Sequence, residues 1–237
     1  MNILYFDLET SPILGYAWQM WEAKILSIER GTGLLAFAYK INDGKTRVVS
    51  TRTHTEREMV KLLWKLFNEA DVLCAQNGDR FDVRKANMFF VKYKLRPPAP
   101  YKTVDTLKIA RKSFKFDSNK LDNLAEFLLG ERKLDTDFSL WLDCMAGNKK
   151  ALTKMERYCK HDVDLLYRVY QELKGWSTSH PNHNLYSGNT HRCPVCGGKT
   201  QKRGFMYTRV GKYQRYQCVE CGAWSKGEKI KHDKVIS

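Results

Sequence analysis

Two carboxylates near the N-terminus have the residue types and the spacing of a metal site. Asp7 and Glu9 stand one residue apart at the end of the apolar segment 3–6. Residues two apart in a strand project from the same face, so both side chains point the same way from the end of a buried strand. Two neighbouring anions are unfavourable there unless a cation or a proton lies between them. The pair therefore predicts a divalent metal site whose other ligands come from elsewhere in the chain.

Two further segments supply candidate partners for that pair. The segment 77–82 (NGDRFD) directly follows a short apolar strand predicted at 72–75. Tyr158 and Asp162 lie four residues apart on a long predicted helix, and this spacing places them on one helical face. They stand beside the predicted buried stripe, which consists of Met155, Cys159, Val163, Leu166, Tyr170 and Leu173. A polar pair at the edge of such a stripe can face a cleft while the helix packs.

Together these segments resemble the three sequence motifs of the DEDDy 3′–5′ exonucleases. The matching elements are FDLET at 6–10, N-x-x-x-F-D at 77–82 and Y-x-x-x-D at 158–162. More narrowly, the pattern is similar to the proofreading exonuclease domain of family B DNA polymerases and to its stand-alone relatives. The His-type variant would place His five residues before the last Asp, where this chain has Arg157. The resemblance implies an RNase H-like fold, two divalent ions and release of nucleoside monophosphates from a 3′ end.

The chemistry of phosphodiester hydrolysis explains why four carboxylates are needed. The reaction requires a deprotonated water in line with the leaving 3′ oxygen, and neutralisation of the phosphate, which two cations about 3.5–4 Å apart can provide. Mg²⁺ prefers oxygen ligands, so two Mg²⁺ (or Mn²⁺) ions suit this set. We expect Asp7 to bridge the ions, with Glu9 and Asp162 on the ion nearer the nucleophile. Asp82 is expected to hold the other ion through water.

Two further polar residues are assigned contacts with water or substrate. Tyr158 is expected to orient the attacking water or help to deprotonate it, and Asn77 to contact the substrate near the scissile bond. Asp79 is interpreted as a solvated acid and His161 as a helix-surface residue. Asp105 is predicted to be a helix N-cap, with a contact to substrate as the alternative.

A second metal site is predicted near the C-terminus. Two Cys-x-x-Cys-Gly elements, with 21 residues between Cys196 and Cys218, supply four candidate zinc ligands, Cys193, Cys196, Cys218 and Cys221. Four thiolates suit one structural, tetrahedral Zn²⁺, and a segment this short relies on the metal for most of its folding energy. The pattern resembles a zinc ribbon; free or redox-active cysteines are the alternative. Cys74, Cys144 and Cys159 are interpreted as buried small residues.

The ribbon also carries basic residues interleaved with aromatic ones. The basic residues are Arg203, Arg209, Lys212 and Arg215, and the aromatic residues are Phe205, Tyr207, Tyr213, Tyr216 and Trp224. Such a surface suits contacts with a nucleic-acid backbone and stacking on single-stranded bases. A surface that binds a protein partner is the alternative.

Composition agrees with a nucleic-acid partner. The 237 residues carry a net charge of +15, with eleven Lys and Arg against three Asp and Glu in 175–237. A basic protein of this size typically binds a polyanion. No segment approaches the roughly 20 apolar residues that span a membrane. The N-terminus lacks a signal-peptide pattern, so we interpret the protein as cytoplasmic, without a membrane partner.

The element pattern predicts an α/β fold, with an RNase H-like mixed sheet flanked by helices and a small C-terminal zinc ribbon. Strands are predicted at 2–6, 72–75, 205–207 and 213–217, and 24–29 is predicted to pair with 34–41 through a turn at 30–33. Helices are predicted at 55–70, 83–93, 105–114, 121–129 and 152–173. The domains are predicted as a 1–174 exonuclease domain, a 175–190 linker and a 191–237 ribbon.

The sequence therefore predicts a metal-dependent 3′–5′ exonuclease that acts on single-stranded DNA. A 3′–5′ exoribonuclease is an alternative of the same class, because the motifs do not distinguish DNA from RNA. A catalytically silent nucleic-acid-binding module is an alternative of a different class. A polymerase or another replication or repair protein is a candidate partner in trans.

Overall fold

The computed structural model of the protein describes residues 1–21, 24–188 and 191–230. The strands are β1 (Ile3–Thr10), β2 (Leu14–Tyr16), β3 (Ser27–Arg30), β4 (Leu34–Ile41), β5 (Arg47–Ser50), β6 (Val72–Ala75), β7 (Lys102–Asp105), β8 (Thr200–Thr208), β9 (Gly211–Cys218) and β10 (Trp224–Lys229). The helices are α1 (Glu56–Glu69), α2 (Asp82–Lys92), α3 (Thr106–Ser113), α4 (Leu121–Leu129), α5 (Phe138–Met145), α6 (Lys149–Leu173) and α7 (His183–Ser187).

A five-stranded mixed sheet forms the centre of the larger unit, with strand order β5-β4-β1-β6-β7. β1, β6 and β7 run parallel, whereas β4 runs antiparallel to β1 and β5 antiparallel to β4. The end of β5, the start of β4 and the ends of the three parallel strands therefore lie at one end of the sheet, which we call the carboxyl end. This topology confirms the predicted RNase H-like mixed sheet.

Helices cover both faces of the sheet because residues of β1 alternate between them. Phe6 packs against α1, with its ring centroid 5.0 Å from that of Phe67. Tyr5 points to the opposite face and lies 5.3 Å from the ring of Tyr170 on α6. The predicted stripe of α6 is buried along its whole length.

The ends of three helices carry the capping interactions that their sequences favour. The Thr55 hydroxyl accepts from the Glu58 backbone N–H at 3.3 Å, and the Glu58 carboxylate accepts from the Thr55 backbone N–H at 2.8 Å. This is the reciprocal pair that satisfies two free N–H groups at a helix start. Gly130 ends α4 at φ 70°, a left-handed conformation that favours glycine. Asp105 is the N-cap of α3, as predicted.

The predicted pairing of 24–29 with 34–41 is wrong. Ser27–Arg30 pairs instead with Leu14–Tyr16 in a separate two-stranded sheet. Both edges of β4 are already occupied, by β1 on one side and β5 on the other. The short strand β5 was not predicted, and without it one edge of β4 is left unpaired. The hairpin β2–β3 leaves several large apolar side chains exposed, among them Trp18, Met20 and Trp21.

The C-terminal unit is a three-stranded antiparallel sheet with order β10-β9-β8. Two of its strands contain the predicted segments, and the third, β10, was missed because Gly227 and alternating charges weaken its strand pattern. The predicted linker contains a 3-10 turn at Lys174–Trp176 and the helix α7. The domain boundaries remain a prediction, and 189–190 and 231–237 lie outside the described residues.

This C-terminal unit packs against the end of α6. A Cβ atom placed on Gly175 would lie 2.0 Å from the carbonyl oxygen of Cys221, so only glycine permits this approach. The Tyr170 hydroxyl forms a 2.8 Å hydrogen bond with His180 Nε2. Of the helices in the described ranges, none is long and apolar enough to cross a membrane.

Candidate active site and zinc site

Asp7 and Glu9 lie on the last part of β1, at the carboxyl end of the sheet. In the antiparallel register they face Ala38 and Ala36 of β4, and both alanines are fully buried. These small residues let α6 approach closely, and the Cys159 thiol lies 3.6 Å from the carbonyl oxygen of Asp7. Ligand atoms of Asp7, Glu9 and Cys159 all lie within 4.8 Å of one another. Burial raises the thiol pKa of Cys159, so the thiol stays protonated and the two carboxylates remain the candidate metal ligands.

Asp82 reaches this pair from the first turn of α2. Its Oδ1 accepts a 3.1 Å hydrogen bond from the Leu8 backbone N–H, and the side chain is buried. The preceding loop turns sharply: Asn77 has φ 60°, and a Cβ on Gly78 would lie 2.5 Å from the Ala75 Cβ. The Asn77 backbone N–H donates to Asp105 Oδ1 at 2.9 Å. The loop thereby places Asp82 beside β1 and Asn77 beside Asp105 at the end of β7.

Asp162 and Tyr158 complete the cluster from α6. Asp162 is 1% exposed, and its Oδ1 has no hydrogen-bond partner among the described residues. Its Oδ2 forms an ion pair with Lys133 Nζ. The same ammonium group donates to the Tyr158 hydroxyl oxygen at 2.9 Å. The Tyr158 ring also packs edge-on against Trp141, with centroids 6.0 Å apart.

Lys133 is a site residue that sequence reasoning missed. It lies in the loop between α4 and α5, where no periodicity predicts its direction. Its backbone N–H donates to Asp122 Oδ1 at 2.8 Å, which fixes the loop so that the side chain enters the carboxylate cluster. Burial lowers the pKa of Lys133, but the neighbouring Asp162 and Tyr158 raise it more, so the pKa lies above its ordinary value. Lys133 is therefore a cation at neutral pH.

The carboxylates perturb one another strongly. Burial, followed by the charges of Asp82 and Glu9, raises the pKa of Asp7 well above its ordinary value. Burial raises the pKa of Glu9 to about 7, with Asp162 adding to the shift and Lys133 opposing it. Burial also raises the pKa of Asp82 to about 7, against hydrogen bonds from the backbone. The positive charge of Lys133 therefore does not compensate the negative charge of the four carboxylates.

This excess of negative charge fits divalent cations. Four carboxylates offer only oxygen ligands, which Mg²⁺ and Mn²⁺ prefer. The unpartnered Oδ1 of buried Asp162 is an acceptor that a cation would satisfy. The residues present therefore suit divalent metal ions, as the sequence predicted.

The raised pKa values predict how pH affects the stability of the protein without Mg²⁺. The folded-state pKa values of Glu9 and Asp82 are about 7, above the ordinary carboxyl values near 4. The stability that these two carboxyl groups contribute is therefore fully present below about pH 4 and is lost as pH rises through about 7. We expect the melting temperature of zinc-loaded protein in Mg²⁺-free buffer to fall between about pH 5 and 8 for this reason, and saturating Mg²⁺ to restore it near pH 8. A melting temperature that rises over this interval without Mg²⁺ would contradict the prediction.

The four ribbon cysteines converge in the manner of a zinc site. All four Sγ atoms lie within 4.8 Å of one another, and the pairs Cys193–Cys221 and Cys196–Cys218 are each 3.6 Å apart. Tetrahedral zinc with Zn–S bonds of about 2.3 Å requires Sγ separations of about 3.8 Å. Backbone N–H groups of Val195 and three further residues (Gly198, Glu220 and Cys221) point at sulfur at 3.4–3.5 Å. The set therefore fits one structural Zn²⁺.

The basic residues of the ribbon lie against its aromatic rings. Lys212 Nζ is 3.9 Å from the Phe205 ring centroid, and the Arg215 guanidinium is 4.5 Å from that of Trp224. Arg215 also donates to the Arg203 carbonyl at 2.8 Å. Arg209 is exposed at the turn between β8 and β9. The structure brings these residues onto one small sheet, and their role in binding remains a prediction.

The mixed sheet and its acidic cluster define a nuclease-like domain. Residues 4–174 match the family described as RNase_H superfamily, and the chain belongs to that superfamily. Its members are mostly nucleases. No curated protein matches the chain.

Among solved structures, the chain is similar to that of the family B DNA polymerase from the hyperthermophilic archaeon Pyrobaculum calidifontis. The TM-score is 0.56 at 17% identity, over 73% of this chain and 24% of the polymerase chain. The chain therefore corresponds to about a quarter of that polymerase. At this identity the similarity concerns the fold, and it confirms the predicted resemblance at that level.

Proposed function

We propose that the protein is a 3′–5′ exonuclease that hydrolyses phosphodiester bonds of single-stranded DNA and releases nucleoside monophosphates. The observation that carries this proposal is the convergence of Asp7, Glu9, Asp82 and Asp162 at one end of an RNase H-like sheet. Membership of the superfamily supports a hydrolase that acts on nucleic acid. The similarity to a DNA polymerase fold favours DNA over RNA and a replication or repair protein as partner in trans.

The four carboxylates would hold two Mg²⁺ or Mn²⁺ ions, which would supply an activated water and neutralise charge on the phosphate. Asp7 occupies the centre, since its pKa responds to Asp82, Glu9 and Asp162. Asp82 approaches from α2 and Asp162 from α6, so the two helices supply ligands from opposite sides of Asp7. Their backbones are fixed by the sheet and by helix packing, which keeps the ligands preorganised.

Tyr158 and Lys133 are suited to orient water and to hold a proton. Burial raises the pKa of Tyr158 to about 12, so the phenol stays protonated at neutral pH. Lys133 donates to the phenol oxygen, and the Tyr158 O–H hydrogen-bonds to Asp162, from which it can turn to a water or a phosphate oxygen when substrate is bound. Lys133 thus fixes both Tyr158 and Asp162.

Replacing Tyr158 by Phe is expected to lower kcat about a hundredfold and to leave KM within about threefold, because the ring packing survives and only the hydroxyl is lost. Steady-state release of mononucleotide from a labelled trinucleotide measures both constants. Tyr167→Phe is the matched control. Tyr167 lies in the C-terminal half of α6, and its hydroxyl donates a hydrogen bond to Asp43. An unchanged kcat in the Tyr158→Phe variant would remove Tyr158 from the mechanism.

The ribbon is proposed as an auxiliary nucleic-acid binder held by one structural Zn²⁺. Its basic residues lie beside aromatic rings, an arrangement that suits phosphate contact and base stacking. Asn77, in the sharply turning loop before Asp82, is proposed to contact the substrate near the scissile bond.

One assay tests the proposed function directly. DNA and RNA strands of equal sequence, labelled at either the 3′ or the 5′ end, are incubated with the protein while Mg²⁺ or Mn²⁺ is varied. We expect metal-dependent release of the 3′-terminal mononucleotide from DNA and a ladder from the 5′-labelled strand. Faster release from RNA would favour the exoribonuclease, and absence of any metal-dependent release would favour the silent binding module.

A further inference from the structure

A groove beside α3 extends from Asp79, in the loop that precedes Asp82, to the segment 176–179, which follows the ribbon contact at Gly175. It has a volume of about 360 Å³, within the range of about 300–1,000 Å³ typical of ligand sites. Its walls are the end of β7, one side of α3, and the segment 176–179. At one end, Asp105 contacts the Asn77 loop through a 2.9 Å hydrogen bond. At the other end, Gly175 lies against Cys221 of the ribbon.

The outer side of α3 is basic. Lys108, Arg111, Lys112 and Lys115 are all exposed, and no acid occurs between Thr106 and Phe116. Lys108 and Lys112 line the groove, four residues and about 6 Å apart along the helix. Lys108 is paired with Asp79, whereas Lys112 donates to the Thr178 hydroxyl at 2.5 Å. Asp79 also lines the groove and compensates Lys108, so the excess positive charge comes from Lys112 and the neighbouring Arg111 and Lys115. That excess is complementary to a chain of phosphates.

The inner lining of the groove suits sugar and base groups. Asp105 is 5% exposed, and its Oδ2 has no hydrogen-bond partner within the part of the chain that the structure describes. An unsatisfied buried carboxylate oxygen requires an N–H or O–H donor, which nucleobase amines and sugar hydroxyls provide. Trp176 also lines the groove and is 60% exposed, with its ring held edge-on against Phe114 at 5.1 Å. An exposed, fixed indole ring is a stacking platform for a base.

We propose that this groove is the track along which the single strand runs from the zinc ribbon to the active site. This inference rests on the proposed function, and it adds a path and a binding role for Lys108, Lys112 and Trp176. The occupant is a short run of nucleotides upstream of the scissile bond. Phosphates face the lysines of α3, and one base stacks on Trp176.

The first test is the double substitution Lys108→Ala/Lys112→Ala. For a DNA strand of about 20 nucleotides, we expect KM to rise roughly fivefold per lost phosphate contact at 0.1 M salt, and the slope of log K against log salt to decrease by about 1. A dinucleotide has no phosphate upstream of its scissile bond, so its kcat and KM should stay unchanged. Lys61→Ala/Lys65→Ala is the matched control, because these two lysines have the same spacing on the exposed face of α1. This control is expected to change KM for neither substrate.

The second test is Trp176→Leu, which keeps an apolar contact with Phe114 and removes the stacking ring. The longer strand should bind severalfold more weakly, and its quenching of tryptophan fluorescence should decrease. If both groove variants bind the long strand as tightly as the wild type does, the groove is not the path of the strand. The groove would then be a candidate site for a protein partner. Failure of the proposed function looks different, because then the wild-type protein itself would release no nucleotide from the dinucleotide.

Discussion

Replacing Asp7 by Asn is expected to lower metal-dependent nucleotide release by at least about a thousandfold, because Asp7 is the carboxylate that interacts with the three others. The same substitution is expected to raise the melting temperature of the zinc-loaded protein without Mg²⁺. At neutral pH the folded state holds Asp7 beside Asp82 and Glu9, and a neutral amide of the same shape removes part of that repulsion. Loss of activity with gain of stability is the pattern expected of a residue retained for function.

The measurement pairs two readouts on the same preparation. Release of mononucleotide from a 3′-labelled trinucleotide gives the activity, and thermal unfolding of the zinc-loaded protein without and with Mg²⁺ gives the stability. Asp117→Asn serves as control, since Asp117 is an exposed acid away from the cluster and should change neither quantity. The assignment fails if the Asp7→Asn variant retains activity within about tenfold of the wild type. It also fails if the stabilising effect of Mg²⁺ is the same in variant and wild type.

The sequence predicted the backbone elements that carry the acids, because each of them has a strong periodic signal. The α6 stripe repeats every three to four residues, and β1 ends at the two acids. The capped start of α1 and the glycine end of α4 are local effects that depend on neighbouring residues alone. These features follow from short-range physics, so a single chain reveals them.

Contacts between distant segments could not be predicted in this way. Lys133 enters the site because Asp122, on another element, fixes its backbone N–H. β3 pairs with β2 because β4 has no free edge, and this depends on β5, whose four residues give a weak signal. The packing of Gly175 on Cys221 depends on the meeting of two units far apart in sequence. Each of these features is decided by tertiary competition and not by local propensity.

Removal of zinc is expected to have the second largest effect, on the fold of the ribbon and on the binding of long strands. The buried core of the ribbon contains only Cys193, Val195, Cys218 and Ala223 among the described residues, too little apolar area to balance the entropy of ordering its three strands. Structural zinc in small modules contributes apparent free energies of about 10–16 kcal/mol, so the ribbon should unfold without it. Ribbon and track would then lose their shared contact at Gly175.

Cys218→Ala tests this, together with zinc chelation of the wild type. We expect loss of hydrogen-exchange protection in β8, β9 and β10. We also expect the salt slope for a DNA strand of about 20 nucleotides to decrease by about 3, since four basic ribbon residues each contribute about 0.7. Trinucleotide turnover should persist, because Asp162 lies roughly 20 Å along the chain of α6 from the ribbon contact at Gly175. Cys144→Ala, a buried cysteine outside the ribbon, is the control and should retain zinc. Full protection of the three strands in zinc-free protein would contradict the structural role of the metal, and collapse of trinucleotide turnover would show that the ribbon supports the active site through α6.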